Sequence, residues 1–244
     1  MNIKSYVPNA ITCCNLLSGC VATTCAFYGD PLWALLWIMI GAAFDFCDGL
    51  SARALGVSSP IGKELDSLAD DITFGVAPAT IVFSHLKLSV LGMTAHLGQI
   101  AQFVPYFAFL IAAFSALRLA KFNLDTRQTT SFIGLPTPAN ALFWGSLIVG
   151  YGDYFEESAY GVVAILVMVL LSSYLLVSEL PMFALKFKHW GVNEDGNVVK
   201  YGFIAFSAAA FFTSLVFGMA LSSIAVIILA YILISFIMWC TGKH

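Results

Sequence analysis

Long apolar segments recur along the whole chain, and each has about the length that one helical membrane span needs, roughly 20 residues. Hydrophobic residues make up 60% of the 244 residues, and the mean hydropathy is +0.89. These values are typical of a membrane protein with several spans. The segments are 11–29, 31–54, 61–84, 104–123, 135–151, 159–180, 202–219 and 221–241. We therefore predict an all-α integral membrane protein of about eight transmembrane helices, with residues 1–244 forming a single domain.

The basic residues predict the orientation of these spans. If the N-terminus is cytoplasmic, eight spans return the C-terminus to the cytoplasm. Every lysine and arginine except Lys87 then lies inside or at the inner boundary, as the positive-inside rule requires. We expect a multi-pass protein of the cell (inner or plasma) membrane, with both termini cytoplasmic. The net charge of -3 argues against a nucleic-acid partner.

Four carboxylates, Asp45, Asp48, Asp66 and Asp70, lie close together in a chain that is only 10% charged. Asp45 and Asp48 are three residues apart, and Asp66 and Asp70 are four apart, so each pair shares one face of a helix. The short turn GVSSP between the helices would bring all four together. One acid could be a solvated helix end, but intramembrane acids at this spacing are costly and usually functional.

The residue types around these acids indicate phosphate chemistry. Carboxylate oxygens select Mg²⁺, Mn²⁺ or Ca²⁺ over Zn²⁺, and Mg²⁺ usually completes its shell with substrate phosphates. Gly49 and Ala52 follow on the face of Asp45 and allow a ligand to approach closely. Arg53 could donate hydrogen bonds to a phosphate oxygen. The six cysteines lie in apolar stretches and are interpreted as small core residues rather than disulfides or zinc ligands.

The spacing Asp-x2-Asp-Gly-x2-Ala-Arg-x8-Gly-x3-Asp-x3-Asp, which runs from Asp45 to Asp70 and includes Gly62, resembles the signature of the CDP-alcohol phosphotransferase family. Members of that family are integral membrane enzymes. They displace CMP from a CDP-linked lipid, or another CDP-alcohol, with the hydroxyl group of a second alcohol. The resemblance also implies a homodimer.

The same resemblance implies a role for each matching residue. The implied ligands of a divalent metal, Mg²⁺ or Mn²⁺ with two ions per site, are Asp45, Asp48, Asp66 and Asp70. Asp70 would in addition be the general base. The segment PNAIT resembles the family's cytidine-contact segment. The implied CDP-lipid-binding residues are Asn9, Thr12, Asp48, Gly49, Ala52, Arg53 and Gly62.

Three further segments resemble the phosphatidylserine synthases of this family: KELDSLADDITFGVAPA (63–79), ALRLAKFN (116–123) and FIGLPTPANA (132–141). This subgroup implies transfer of a phosphatidyl group from CDP-diacylglycerol to L-serine. A serine zwitterion needs a cation for its carboxylate, and Arg118 and Lys121 lie at the cytoplasmic end of the fourth span. Either residue could instead be a membrane anchor that extends to the headgroups.

Two alternatives remain open. Another acceptor would make the protein a phosphatidylglycerophosphate, phosphoinositide or archaetidylserine synthase. Paired intramembrane acids also occur in divalent-cation transporters, although the acids here lie next to Arg53 and no inverted repeat is visible. The last three helices, 159–241, carry no recognised motif and are interpreted as lipid-facing scaffold or dimer surface.

Overall fold

The computed structural model describes residues 6–91, 98–125, 132–156, 159–183 and 197–242, and most of them are helical. The α-helices are α1 (Tyr6–Phe27), α2 (Pro31–Leu55), α3 (Pro60–Asp70), α4 (Ala77–Leu91), α5 (Leu110–Leu124), α6 (Thr137–Glu156), α7 (Ala159–Val177), α8 (Asn197–Val216) and α9 (Ser223–Cys240). A π-helical segment (Asp71–Val76) joins α3 to α4. One 3-10 segment (Gly98–Phe109) precedes α5, and a second (Ala220–Ser222) precedes α9. The strands β1 (Phe132–Ile133) and β2 (Pro181–Met182) form one short antiparallel pair.

The structure confirms the all-α membrane fold. In the described part of the chain, 7 helical stretches are long and apolar enough to cross a membrane, judged by length and composition. The predicted fifth span, 135–151, corresponds to α6, which has 20 residues but a more polar composition. Its side chains pack mostly against other helices, with Trp144 fully buried, so α6 does not need a uniformly apolar surface. The termini lie outside the described residues, and their orientation stays a prediction.

The core lies around α4 and α6. Phe74, Leu86, Trp144 and Ile165 are all fully buried there. Helix α1 packs along α2 and against α3 and α4, whereas α8 packs against α9 and the 3-10 turn before it. The cysteines were expected to be small core residues without disulfides: all six are free and Cys25 packs against this core, but four of them are exposed and none is fully buried. They are small enough to face lipid without cost.

The turn between α2 and α3 has the predicted position and a clear physical basis. Gly56 ends α2 in the left-handed conformation (φ 62°), which a glycine adopts without steric strain. Ser59 caps α3 by accepting a hydrogen bond from the backbone N–H of Gly62 at 3.0 Å. Pro60 is the first residue of α3, a position at which the missing N–H of proline costs no intrahelical hydrogen bond. After the turn, α3 packs against α1, and this places Asp66 beside the acids of α2.

Close packing joins α1, α2 and the π-helical segment. A Cβ atom at Gly41 would lie 2.5 Å from Cγ2 of Thr73, and one at Gly19 would collide with the Thr73 side chain and backbone. Thr73 donates a hydrogen bond from Oγ1 to the backbone oxygen of Asn15 at 3.0 Å. The three elements are therefore fixed against one another immediately beside the acids.

Candidate active site

Three of the four predicted acids meet where α2 and α3 converge. One carboxylate oxygen from each of Asp45, Asp48 and Asp66 lies within 4.8 Å of the other two. Asp48 is buried, and the other two are partly exposed. The helical spacing aligns the first two acids on α2, and the tight turn places Asp66 of α3 beside them. This arrangement gives a small, open cluster of hard oxygen donors.

Asp70 lies one turn beyond Asp66 on α3 and outside the group of three. Its Oδ1 accepts a hydrogen bond from Nδ2 of Asn15 at 3.0 Å. It remains close enough to Asp45 and Asp66 for their charges to interact with its own. Asp70 thus borders the cluster and is oriented by α1, an arrangement that suits a residue next to the reacting group.

Helix α1 contains no acidic residue, but its side chains donate hydrogen bonds to two of the four acids. Thr12 donates a hydrogen bond from Oγ1 to Oδ2 of Asp48 at 2.6 Å. Asn15, which holds Asp70, was missed by the sequence analysis. The signal was available, because Asn9, Thr12 and Asn15 recur every three residues and form a polar stripe along the first predicted helix.

The donor set fits a hard divalent cation. All three converging groups are carboxylates, the ligands that Mg²⁺ and Mn²⁺ prefer. Oδ1 of Asp66 is buried and has no hydrogen-bond partner among the described residues. A buried carboxylate oxygen without a donor is unfavourable unless a cation neutralises it. Asp45, Asp48 and Asp66 could therefore hold a metal ion.

A pocket of about 240 Å³ opens beside the acids. Its lining comprises Pro8, Asn9, Thr12, Asp48, Gly49, Ala52, Val57, Ser58, Ser59, Gly62, Lys63 and Asp66. The structure thus gathers here every predicted CDP-lipid-binding residue except Arg53. Arg53 is exposed, and its guanidinium lies next to Gly49 on α2. A Cβ at Gly62 would lie 3.0 Å from Oδ1 of Asn9, so the glycine keeps this pocket open.

A second pocket, of about 270 Å³, contains both Arg118 and Lys121. Arg118 is only 7% exposed, donates to Oγ1 of Thr137 at 3.4 Å and lies over the ring of Phe122. Lys121 is exposed and donates to the backbone oxygen of Val177 at 3.3 Å. A residue that anchors a helix to headgroups exposes its charge, so the anchor interpretation does not fit Arg118. Electrostatic attraction also links Arg118 to Asp70.

Asn123 joins the C-terminal end of α5 to α3. Its Nδ2 donates to Oγ of Ser67 on α3 at 2.8 Å, and its backbone oxygen accepts a hydrogen bond from Nζ of Lys63 at the same distance. These bonds tie the end of α5 to the acidic helix. The lining of the second pocket contains two acidic residues, Asp125 and Glu179, beside its two basic residues.

The fold and site define a class of membrane enzyme. The family model for CDP-alcohol phosphatidyltransferase matches residues 5–180, and the chain belongs to this family. The matched region covers α1 to α7, together with both pockets and all four acids.

The chain is also similar to curated proteins named CDP-diacylglycerol–serine O-phosphatidyltransferase. It is 35% identical over 138 residues to the one from Bacillus subtilis, covering 55% of this chain and 70% of that protein. It is 28% identical over 239 residues to the one from Helicobacter pylori strain 26695, covering 95% and 90%. The Methanocaldococcus jannaschii protein is 32% identical over 145 residues, which is 59% of each chain.

Proposed function

We propose that this protein transfers the phosphatidyl group of CDP-diacylglycerol to L-serine and releases CMP. The observation that carries the proposal is the arrangement of two pockets around the acids. One pocket has carboxylates and small residues along its wall, and the other contains a nearly buried arginine whose charge interacts with that of Asp70. The names of the relatives from B. subtilis and H. pylori support serine as the acceptor.

The pocket between α1, α2 and α3 receives the cytidine diphosphate. Gly49, Ala52 and Gly62 present almost no side chain, so the nucleotide can approach the backbone closely. Asn9 and Thr12 contribute polar groups from α1, and Arg53 reaches the outer side of the diphosphate. The diacylglycerol tails remain in the bilayer.

Asp45, Asp48 and Asp66, with Asp70 at the border, would hold the divalent metal, for which we propose two Mg²⁺ or Mn²⁺ ions per site. When bound, the metal neutralises the phosphate charge and makes phosphorus more electrophilic. The protein contributes the fixed carboxylate geometry, which Thr12 and Asn15 support through their hydrogen bonds to Asp48 and Asp70.

The second pocket receives serine. The Arg118 guanidinium forms a charge-assisted contact with the serine carboxylate, and Lys121 adds positive charge at the rim. The serine hydroxyl is thereby directed towards Asp70. Asp70 accepts the hydroxyl proton as the serine oxygen bonds to the phosphorus that carries diacylglycerol, and the bond from that phosphorus to CMP breaks.

Both termini and the active site face the cytoplasm in this proposal, within the cell (inner or plasma) membrane. The distribution of basic residues supports this orientation. We also propose a homodimer. The family resemblance implies it, and the exposed apolar surface of α8, which includes Ile204, Phe211 and Phe212, is available to a second protomer as well as to lipid. Crosslinking in native membranes would separate a dimer from a lipid-facing monomer.

The test uses purified full-length protein with CDP-diacylglycerol and Mn²⁺. L-Serine, glycerol 3-phosphate, inositol and inositol phosphate are offered separately, and both CMP and the lipid product are measured. We expect CMP and phosphatidylserine when serine is the acceptor, and no CMP with the other three alcohols. Turnover with only another alcohol would assign a different synthase of this family, and no CMP with any alcohol would overturn the transferase function.

A further inference from the structure

A third pocket, of about 260 Å³, lies at the end of the helices opposite the acids. It is formed by the C-terminal end of α1, the start of α2, the middle of α4 and the last turns of α6. Ala26 lines it on α1, 14 residues after Thr12, which is about 21 Å further along the helix axis. Both α1 and α2 are long and apolar enough to cross a membrane. This pocket and the active site therefore lie at opposite membrane boundaries.

Three side chains give this pocket hydrogen-bond acceptors. Asp153 and Glu156 contribute carboxylates from α6, and His85 contributes its imidazole from α4. Nδ1 of His85 lies 3.3 Å from Oε1 of Glu156. An ionised carboxylate can only accept, so we assign the proton of the neutral imidazole to Nδ1, which leaves Nε2 as an acceptor. Among the described residues that line the pocket there is no lysine or arginine, so its charge is negative.

His85 has a buried nitrogen without a partner. Its side chain is only 4% exposed, and Nε2 forms no hydrogen bond with any described residue. A Cβ atom at Gly152 would lie 3.4 Å from Cε1, the ring carbon between the two nitrogens, so this edge of the imidazole faces the pocket wall on α6. Buried polar atoms are almost always paired. A ligand with a hydrogen-bond donor would complete the site.

A single metal ion does not fit these three groups. Protein ligand atoms lie about 2.0–2.3 Å from Zn²⁺ or Mg²⁺, so no two of them can be much more than about 4.6 Å apart. In the described part of the chain, the acids of the active site are the one group of three whose ligand atoms lie within 4.8 Å of one another. His85, Asp153 and Glu156 are therefore spread too widely. An ammonium nitrogen donates over about 2.7–2.9 Å to each acceptor, and it can bridge acceptors that are further apart.

The pocket favours a primary ammonium group over a quaternary one. A primary ammonium has three N–H donors, which match the two carboxylates and Nε2 of His85. A quaternary ammonium has no N–H group and is recognised by the faces of aromatic rings. No phenylalanine, tyrosine or tryptophan is among the described residues that line the pocket. The ligand is therefore expected to carry an –NH₃⁺ group.

The position of the pocket favours a phospholipid as the carrier of this group. Leu88 lines the pocket and is 56% exposed, which gives the pocket an apolar edge towards the bilayer. Tyr28, Trp33 and Tyr154 lie within two residues of lining residues in the sequence and are also exposed. Exposed tyrosine and tryptophan side chains are enriched at the headgroup level of a membrane. The pocket thus lies where lipid headgroups lie.

We propose that this pocket binds the –NH₃⁺ headgroup of a membrane aminophospholipid, with Asp153 and Glu156 neutralising the ammonium charge and Nε2 of His85 accepting one of its hydrogen bonds. The acyl chains pass Leu88 into the bilayer. The site is separate from the two pockets of the proposed reaction, so the bound lipid is not a substrate. A lipid held there joins the ends of α1, α4 and α6 at this membrane boundary.

The test measures which lipid the purified full-length protein retains. The protein is equilibrated with mixed micelles that contain equal amounts of phosphatidylethanolamine and phosphatidylcholine with the same acyl chains. These headgroups differ only in the methyl groups on nitrogen, and native mass spectrometry gives the ratio of the two bound lipids. The wild type should retain more phosphatidylethanolamine. Glu156→Gln should lower the ratio by roughly 3–10-fold, between the effects of losing an exposed and a buried charge contact.

Asp153→Asn provides a second variant at an exposed position. It should lower the ratio in the same way if Glu156→Gln does not fold. Asp30→Asn is the matched control, because Asp30 caps α2 at the same end of the helices but does not line the pocket. Asparagine caps a helix as well as aspartate does, so the ratio should be unchanged. Free ethanolamine at the concentration of the lipid should not displace phosphatidylethanolamine, because it lacks the acyl chains.

The proposal is overturned if the wild type retains the two lipids equally, or if the folded pocket variants keep the wild-type ratio. An equal fall in Asp30→Asn would also overturn it, since the preference would then come from the general charge of that membrane surface. Displacement of the lipid by equimolar ethanolamine would overturn the lipid as the occupant and assign the pocket to a soluble amine. None of these outcomes depends on turnover, so they are independent of the proposed function.

Discussion

Oγ1 of Thr12 lies 2.6 Å from Oδ2 of Asp48, and this contact joins two helices across 36 residues of sequence. Both residues are buried. A hydroxyl group has a single proton to donate, and the distance to the backbone oxygen of Pro8 is longer, at 3.0 Å. The threonine proton therefore points at the acid, which leaves the other oxygen of Asp48 available to a cation.

Replacement of Thr12 should weaken metal binding. Thr12→Val keeps the shape of the side chain but removes its donor, so Asp48 loses its orientation. Partners of metal ligands typically contribute roughly 10–100-fold to affinity or activity, and we expect a loss in that range for Mn²⁺. Titration calorimetry on the purified protein measures it. Thr12→Ser, which retains the hydroxyl, should bind Mn²⁺ like the wild type, and equal binding by Thr12→Val would show that the contact is structural only.

Removal of one of the three clustered carboxylates should weaken metal binding more than the loss of the Thr12 hydroxyl does. Asp45→Asn and Asp66→Asn each take one negative ligand from the group of three, and both turnover and divalent-ion binding should be lost while the fold persists. The measurements are CMP release in chelator-treated buffer supplemented with Mn²⁺, and Mn²⁺ binding. Asp30→Asn, at an exposed position outside the cluster, should behave like the wild type. Normal turnover by either cluster variant would refute the metal assignment.

The Asp70→Asn variant should show whether Asp70 is a general base or only a metal ligand. Loss of a base typically lowers the rate by ~10²–10⁴-fold, so kcat should fall while CDP-diacylglycerol still binds. Raising Mn²⁺ should partly rescue a pure ligand variant but not a base variant. Asn15→Ala, which removes the hydrogen bond to Asp70, should lower kcat less. A near-normal kcat for Asp70→Asn at saturating Mn²⁺ would exclude Asp70 as the base.

A methyl group at Gly62 should obstruct the donor pocket. The added Cβ would lie 3.0 Å from Oδ1 of Asn9 and from Oγ of Ser59, so Gly62→Ala should raise the KM for CDP-diacylglycerol more than the KM for serine. Gly202→Ala is the matched control, because nothing lies within 4 Å of a Cβ there. It should leave both constants unchanged. An equal change in both KM values for Gly62→Ala would contradict the assignment of this pocket to the donor.

The two basic residues of the second pocket should differ in importance. Arg118→Ala should raise the KM for serine by roughly 10–100-fold, as expected for a charge-assisted contact of about 1.5–3 kcal/mol. Lys121→Ala should have a smaller effect, because Lys121 is exposed and water screens its charge. Steady-state kinetics with each substrate varied in turn would check this order. Equal effects on both substrates would indicate that Arg118 has a structural role only.

Local patterns in the sequence were sufficient to predict the helices and the meeting of three acids. Asp45 and Asp48 align through helical periodicity alone, and Gly56 and Ser59 mark the turn that brings Asp66 alongside. The position of Asp70 could not be predicted in this way. One further turn moves it about 5–6 Å along α3, and its partner, Asn15, lies 55 residues earlier.

The burial of Arg118 was the other feature that could not be predicted from the sequence. Arg118 and Lys121 are one turn apart and have similar charges, yet only Arg118 is enclosed. The difference depends on Thr137 and Phe122, and Thr137 reaches this position only after α6 has packed. For the same reason, the composition of α6 does not clearly indicate a membrane span. Neighbouring helices, rather than lipid, cover its polar residues.

The position of Thr12 and Asn15 on α1 has a consequence for biosynthesis. Ribosomes synthesise α1 before the two acidic helices, so the hydroxyl and amide donors enter the bilayer ahead of Asp48 and Asp70. An isolated acid is expensive in hydrocarbon, and the newly inserted α2 and α3 find protein donors already beside them. The order of these residues along the chain therefore lowers the barrier to membrane insertion of a site that would be unfavourable if its acids arrived first.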